Sequence, residues 1–347
     1  TTGDRNVAVG ATSLDACTEG QYNVAVGNDA LTTLTTGDRN TAVGLQAGAA
    51  ITTGSKNTFI GSDAGDATTT ASNNTAVGEA ALSANTTGAS STALGYAALF
   101  ANTTAGSNCA LGAYALTANT TGTNNCAVAS SLVTNTTGVN NTAVGNNALY
   151  YNTTGTDNNA FGLGSLQACT TGYNNSAFGG GASYLAGAMQ SLTTGYRNSG
   201  FGGGAMGGTT TGANNVAVGD AALYTNSTGS DNAALGKDAL ISSTTASNNT
   251  AVGYQALFAD TTGAANIGIG TYAGNNITTG EYNIMIGYQA VGSAVNVSEI
   301  VIGTATGKGN NTGYIYPPGG GHMYQATNAS TWAQTSDERL KKNIVNN

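Results

Sequence analysis

The residues with the most evident chemical potential lie near the C-terminal end of the sequence, in the segment 336–344 (SDERLKKNI). A serine followed by acidic and then basic residues is typical of the start of a helix. A serine hydroxyl acts as a nucleophile only when a base lies close to it. Ser336 and Lys341 stand five residues apart around this helix start, and they can approach each other when the lysine is desolvated.

Elsewhere, groups that could act in catalysis or bind a metal are isolated. His322 is the sole histidine and has no second ligand at a suitable spacing, which favours a packed or exposed loop residue. The acidic residues are scattered through predicted turns, and no repeat carries the carboxylate pair needed to cleave a glycoside. We therefore expect no cofactor and no metal, and polysaccharide depolymerase activity is the least favoured function.

Charge and hydropathy argue against two further classes of partner. The net charge is −8, only 7% of the residues are charged, and no basic stripe is present to hold a nucleic acid. No run of about 18 apolar residues occurs, so we expect no membrane insertion. The sequence begins inside a repeat, and we expect it to be a piece of a longer protein.

A 17-residue repeat must position whatever groups are functional. Eighteen copies cover residues 1–303, each closing on a phrase such as NVAVG (6–10) or NTAVG (74–78), often after a Thr-Thr-Gly turn. A fixed period of this length is typical of a solenoid. The predicted fold class is therefore all-β, a parallel β-solenoid (β-roll) of about eighteen coils.

The columns of the repeat predict which side chains face the interior. We number the closing residue of each copy, usually glycine, as position 0. Position −1 is large and apolar in every copy and position −2 is mostly alanine, and the two alternate as in a strand. We expect position −1 to fill the interior, the asparagine at −4 to form a ladder between coils, and the leucine at +4 to mark a second strand.

The thin core of such a coil predicts an oligomer. Burying one Val, Leu or Phe contributes roughly 1.5–3 kcal/mol, whereas each ordered residue costs roughly 1–2 kcal/mol of backbone entropy. Additional burial between chains would offset this cost. We therefore predict a homo-oligomer, most simply a homotrimer, that packs through the small alanine face at position −2.

Two resemblances sharpen these predictions. Residues 336–344 resemble the opening of the self-cleaving intramolecular chaperone domain (peptidase S74 type) that ends many phage tail fibres and tailspikes. This resemblance implies that Ser336 is the nucleophile, that Lys341 is its general base, and that the cut lies between Thr335 and Ser336. Because the sequence ends at Asn347, we expect this chain to remain uncut. Residues 1–303 are similar to the NSVAIG-type repeats of YadA-like trimeric autotransporter adhesin heads, which implies a left-handed homotrimeric β-roll.

Three regions follow from these patterns: a solenoid shaft (1–303), an irregular Gly/Pro-containing junction (304–335), and the start of a truncated chaperone domain (336–347). We predict a structural and receptor-binding segment of a trimeric viral tail fibre or tailspike, extracellular and part of the virion. The alternative is a bacterial surface adhesin or extracellular filament protein at the cell surface. Apart from self-cleavage, no enzymatic activity is expected.

Candidate contact residues come from the places where the repeat varies. Six residues are added between positions 179 and 195, and loops on a rigid scaffold often carry binding. Tyr184, Leu185 and Met189 are therefore candidate contacts for a host cell-surface glycan or protein receptor, although the insertion could simply be tolerated. Tyrosines on the return side could stack on sugars or pack the turns. Cys109 and Cys126 share one column and are predicted to be small buried residues, with a disulfide as a secondary option.

Overall fold

The structure, a computed structural model, describes residues 3–181, 186–304, 306, 312–316, 322–325 and 333–335. It divides into two compact units, residues 1–175 (unit 1) and 176–347 (unit 2). In each unit, successive repeats contribute one short strand apiece and the strands pair in parallel. The prediction of an all-β parallel solenoid of about eighteen 17-residue coils is confirmed.

The described part of unit 1 contains ten strands, and strands that follow each other within the unit pair together. Pairing joins equivalent repeat positions, as in Ala25 with Ala42. The strands are β1 (Val7–Val9), β2 (Val24–Val26), β3 (Thr41–Val43), β4 (Thr58–Ile60), β5 (Thr75–Val77), β6 (Thr92–Leu94), β7 (Cys109–Leu111), β8 (Cys126–Val128), β9 (Thr142–Val144) and β10 (Asn159–Phe161).

Unit 2 continues the same pattern and then changes it. Its parallel strands are β11 (Ser176–Phe178), β12 (Ser199–Phe201), β13 (Val216–Val218), β14 (Ala233–Leu235), β15 (Thr250–Val252), β16 (Ile267–Ile269), β17 (Ile284–Ile286), β18 (Ile300–Gly303) and β19 (Gly313–Tyr316). Strands β20 (His322–Gln325) and β21 (Ala333–Thr335) are antiparallel to their neighbours. Three segments of the junction predicted to be irregular are therefore strands.

The predicted orientation of the repeat strand was wrong. After the first coil, position −2 lies inside, and its alanines Ala42, Ala76 and Ala251 are fully buried. The large side chains at position −1 point outward instead, with Val9 57% and Leu94 47% exposed. The alanine face is therefore the core of the chain, and it is not available to pack against a partner.

The interior is narrow because position −2 shares it with position +4. The leucines at +4, such as Leu82 and Leu99, are fully buried. In β4, Phe59 replaces the usual alanine, and the flanking +4 positions are glycines. A Cβ on Gly48 would lie 2.9 Å from the Phe59 ring, and one on Gly65 would lie 2.7 Å from it. A large residue at one position thus requires a small one at the other, as close packing demands.

The return side of the coil consists of turns, so the predicted second strand was also wrong. Asp29 at position +2 and Leu31 at position +4 have φ of 56° and 50°. This left-handed conformation is uncommon for leucine. The neighbouring coils hold it in place, because the Leu31 N–H donates to the Ala47 carbonyl of the next coil at 3.1 Å. Left-handed residues at fixed repeat positions turn the chain sharply enough to close the coil.

The predicted asparagine ladder at position −4 is confirmed. The backbone N–H of Asn57 donates to Asn40 Oδ1 in the preceding coil at 3.0 Å. Asn57 Nδ2 donates to the Ala71 carbonyl of the following turn at 2.9 Å and to Asn40 Oδ1 at 3.1 Å. Asn74 then donates its backbone N–H to Asn57 Oδ1 at 3.0 Å. Each asparagine satisfies backbone groups that would otherwise be buried without partners.

Candidate functional site

Each unit carries an uncovered apolar surface on the outer side of its strands, which we call the outward face. It consists of the side chains at position −1, which are all large and apolar, and at position −3, where half of the copies have Thr, Ser or Asn. Neither position holds a charged residue in any copy. Exposed members in unit 1 are Val7, Val9, Val43, Ile60 and Leu94, and in unit 2 they are Phe178, Phe201, Val216, Val218, Leu235, Ile269 and Ile302. An extended apolar surface without charges is typical of a protein interface.

The outward face is ordered as well as apolar. In unit 2 the rings of Phe178 and Phe201 stack in parallel, with centroids 5.0 Å apart and planes 3° from each other. Even so, Phe201 remains 40% exposed and Phe178 remains 37% exposed. The two stacked rings therefore leave part of their surface available to a partner molecule.

Two cysteines lie on the outward face of unit 1. Cys109 and Cys126 occupy position −3 of paired strands, directly opposite each other, and both are free thiols. They are half-exposed, which differs from the buried location expected for them. Burial and the adjacent Cys109 thiol together raise the pKa of Cys126. The rate at which these two thiols are alkylated can therefore show whether the outward face is covered.

The predicted site residues are only partly described. Ser336, Lys341, Tyr184 and Leu185 lie outside the described residues. Met189 was expected at the surface, but it is fully buried in the interior of unit 2, next to Gly200. Its thioether occupies the +4 site of its coil, so we withdraw it as a surface contact.

A second exposed cluster, which we call the tyrosine ladder, consists of Tyr254, Tyr272 and Tyr288 in three successive coils of unit 2. The ring centroids of Tyr254 and Tyr272 are 5.3 Å apart, and those of Tyr272 and Tyr288 are 6.4 Å apart. Partial burial, followed by the neighbouring Tyr254 hydroxyl, raises the pKa of Tyr272. Tyrosines on the return side were noted in the sequence, Tyr254 and Tyr288 among them, but Tyr272 and its contacts with them were not predicted.

With this geometry established, we compared the chain with known proteins. No family model, curated protein or solved structure matches it. Among the described residues, no group of three or more His, Cys, Asp and Glu side chains could hold a metal ion. Over the same part of the chain, no helix is long and apolar enough to cross a bilayer. Function must therefore be inferred from the two surfaces and the buried polar columns.

One buried polar column contains a titratable group. At position +7, asparagines such as Asn226 donate Nδ2 to the carbonyl three residues on, here Gly229 at 2.9 Å. Asp260 occupies the same position in unit 2, is fully buried, and accepts the Gly263 N–H at 2.8 Å through Oδ1. Its other oxygen, Oδ2, has no hydrogen-bond partner among the described protein groups. Burial raises the pKa of Asp260 to about 7.

We expect Asp260→Asn to stabilise unit 2 above pH 7. The folded state keeps a proton that the unfolded chain, with an ordinary pKa of 3.8, releases. Stability from this group is therefore present below about pH 4 and is lost as the pH rises through about 7. The introduced side-chain amide would supply the missing donor without a charge. Urea unfolding should show a gain of roughly 1–3 kcal/mol at pH 8 and little change at pH 4.

The matched control is Asp231→Asn, because Asp231 is an exposed acidic residue in the same unit. Its substitution should leave the unfolding midpoint unchanged at both pH values. An Asp260→Asn chain that gains no stability between pH 4 and pH 8, relative to the unsubstituted chain, would contradict the assignment.

Proposed function

We propose that this chain is a structural and receptor-binding segment of a homotrimeric viral tail fibre or tailspike. The observation that carries the proposal is the outward face, because it is apolar at every position −1, uncharged in every copy and uncovered in the single chain. Fibres need a surface through which parallel copies associate along their length. A face that repeats with every coil supplies such a surface.

The proposed trimer packs through positions −1 and −3. Alanine at −2 is already inside the coil, so the partner contact moves to the opposite side of the strand from the one first expected. Around a three-fold axis, the outward faces of three chains would meet and exclude water from their large side chains. Each Val, Leu, Ile or Phe buried in this way contributes roughly 1.5–3 kcal/mol. The left-handed β-roll remains part of the proposal.

The viral assignment depends on the segment 336–344 and its resemblance to the opening of a self-cleaving chaperone domain. A bacterial adhesin or filament could use the same outward face, but the repeats give no reason for such a segment to follow them. In the proposal, Ser336 and Lys341 act only at the junction after Thr335, which is the last residue of β21.

Depolymerase activity receives no support from the described surface. Two depressions are lined by Asn275, Gln289, Val291, Thr304 and Thr306 in unit 2, and by Thr32, Thr33, Gln46, Ala49, Ala50 and Asp66 in unit 1. Asp66 is the one carboxylate among these lining residues. Glycoside cleavage requires two carboxyl groups on either side of the bond.

Two measurements on the purified chain test the trimer. Light scattering should give a mass of about 102 kDa, three times the chain mass of 34.0 kDa. Within the trimer, Cys109 and Cys126 should react with iodoacetamide as slowly as the buried Cys169. All four cysteines should react rapidly once the chain is unfolded in urea. A mass of 34.0 kDa, or rapid alkylation of Cys109 and Cys126 in the folded protein, would contradict the proposal.

A further inference from the structure

The tyrosine ladder presents two exposed aromatic rings on either side of a third. Tyr254 and Tyr288 both occupy position +1, and Tyr272 lies between them at position +2. The Tyr272 plane is inclined by 77° to Tyr254 and by 75° to Tyr288. Tyr254 is 39% exposed and Tyr288 is 55% exposed, whereas Tyr272 is half-buried. The middle ring therefore supports two outer rings that stand two coils apart.

A groove with both polar and apolar lining adjoins the end of the ladder. It has a volume of about 330 Å³ and is lined by Asn275, Gln289, Val291, Thr304 and Thr306. Gln289 follows Tyr288 directly in the sequence. Thr304 stands beside Tyr288 in the next coil, because Ile286 pairs with Ile302 and the chains continue in the same register. Aromatic rings and a groove with amide and hydroxyl groups are therefore adjacent.

These groups match the chemistry of a carbohydrate. The C–H groups on one side of a sugar ring pack against the electron-rich face of a tyrosine. Side-chain amides and hydroxyls both donate to and accept from sugar hydroxyls. No charged residue occurs at positions +1 and +2 of the coils that begin at Tyr254, Thr271 and Tyr288. Lys237, at position +1 of the preceding coil, is paired with Asp220 at 3.6 Å, so an acidic polymer would find no unpaired cation beside these three coils. The ligand indicated is a neutral sugar.

The spacing of the rings indicates a polymer. Successive coils are about 4.8 Å apart, which is comparable to the advance per sugar in an extended β-linked chain. A polysaccharide lying along the stacking direction would therefore place alternate sugars on Tyr254 and Tyr288 and reach the groove at Gln289. We propose that the tyrosine ladder and the adjoining groove bind an extended, neutral, β-linked polysaccharide. This site rests on the proposed function, because it assigns the receptor as a glycan of the host surface.

Unit 1 provides an internal comparison. Tyr96 and Tyr114 also occupy positions +1 and +2 of successive coils, with centroids 5.2 Å apart and planes at 83°. This pair has no third tyrosine at the equivalent position of the next coil, where Ser130 stands. Glu79 precedes it at position +1 and contributes to the raised pKa of Tyr96, after the larger effect of Tyr114. Tyr96, at 47% exposure, is therefore a matched control for Tyr288.

Affinity electrophoresis of the full chain tests the site. Native gels would contain hydroxyethylcellulose or galactomannan as neutral β-linked probes, and polygalacturonate as an acidic probe. We expect both neutral polymers to retard the chain and polygalacturonate to leave its mobility unchanged. Tyr254→Ala and Tyr288→Ala should each weaken retardation roughly tenfold, because a stacking surface and its buried area are lost. Tyr288→Phe should retain binding, and Tyr96→Ala should behave as the unsubstituted chain.

The outcomes separate this site from the proposed function. Absence of retardation by both neutral polymers, or equal loss in Tyr96→Ala and Tyr288→Ala, would overturn the polysaccharide site. The variants carry exposed substitutions, and light scattering would verify that their mass is unchanged. The unsubstituted chain and Tyr288→Ala could compete equally well with the virus for adsorption to host cells. That result would support the attachment function and contradict the polysaccharide site. If the unsubstituted chain binds the neutral polymers but does not compete with the virus for host cells, the polysaccharide site is supported and the attachment function is contradicted.

Discussion

Replacing Phe178 and Phe201 together by aspartate should convert the proposed homotrimer into a monomer that keeps its solenoid fold. Both side chains lie on the outward face, and they stack with centroids 5.0 Å apart while remaining partly exposed. In a single chain, aspartate at these positions would remain hydrated and cost little. In the proposed trimer, six carboxylates would be brought together in an apolar contact without cations.

The expected effect is large because the three-fold axis multiplies it. Each chain would lose two buried rings, each worth roughly 1.5–3 kcal/mol. Burial of an unpaired charge adds several kcal/mol at each position. Light scattering should therefore show a mass of 34.0 kDa in place of three times that value. Circular dichroism should remain that of a β-rich protein.

The control substitution is Leu45→Asp. Leu45 is 50% exposed but lies at position +1, after the closing glycine and away from the outward face. It should leave the trimer intact. A Phe178→Asp/Phe201→Asp chain that remains trimeric, or a Leu45→Asp chain that dissociates equally, would show that the outward face is not the contact between chains.

Asn57→Asp should destabilise unit 1 by roughly 3–5 kcal/mol. Asn57 is fully buried, and its Nδ2 faces two oxygen acceptors, the Ala71 carbonyl at 2.9 Å and Asn40 Oδ1 at 3.1 Å. Aspartate would place a carboxylate oxygen where the donor was, so three oxygens would meet without a proton between them. In a solenoid each coil is stabilised by its neighbours, and the damage should therefore spread to the adjacent coils.

Urea unfolding would measure the loss, and hydrogen exchange would locate it at the Asn57 and Asn74 amides. Asn57→Ala should have a smaller effect, because it removes the same bonds without burying a charge. The exposed Asn124 provides the surface control, and Asn124→Asp should change stability by less than about 0.5 kcal/mol. If Asn57→Asp proved no more harmful than Asn124→Asp, the ladder would not be the structural element described above.

The period and the ladder were predictable because both depend on local chemistry that recurs in every copy. A 17-residue period specifies a coil, and an asparagine at position −4, just before nearly every strand, specifies a hydrogen-bonded column. The direction in which the strand faces was not predictable from alternation alone, since alternation defines two faces without saying which is inside. Size alone favours the larger side chains at position −1, but the leucines at +4 already fill the interior and leave room there for a small residue.

One sequence pattern indicates the correct orientation of the repeat strand. Phe59 and Met285, two large residues at position −2, are accompanied by glycines at position +4 nearby, Gly65 and Gly274. Cβ atoms added to these glycines would lie 2.7 Å from the Phe59 ring and 3.4 Å from Met285 Cγ, respectively. A large residue at position −2 thus occurs with a small one at position +4, which indicates that the two positions pack against each other. This correlation could have placed position −2 in the core.

The tyrosine ladder could not be recognised by comparing columns. Tyr254, Tyr272 and Tyr288 are separated by 18 and 16 residues, so they alternate between two columns and fall out of step with the 17-residue period. Tyr272 itself occupies position +2 and has a left-handed backbone conformation. This conformation directs its side chain toward the +1 positions of the neighbouring coils. Such contacts depend on backbone turns that the sequence pattern does not specify.

Unequal recombination between copies can lengthen or shorten such a solenoid by one coil at a time. Within each unit, paired strands join equivalent repeat positions one to one, so removal of one whole copy brings equivalent residues of its neighbours together. Each added coil extends the stack by about 4.8 Å without a new turn, cap or core having to arise. The reach of the protein is therefore a trait that selection can adjust in small, structurally neutral steps.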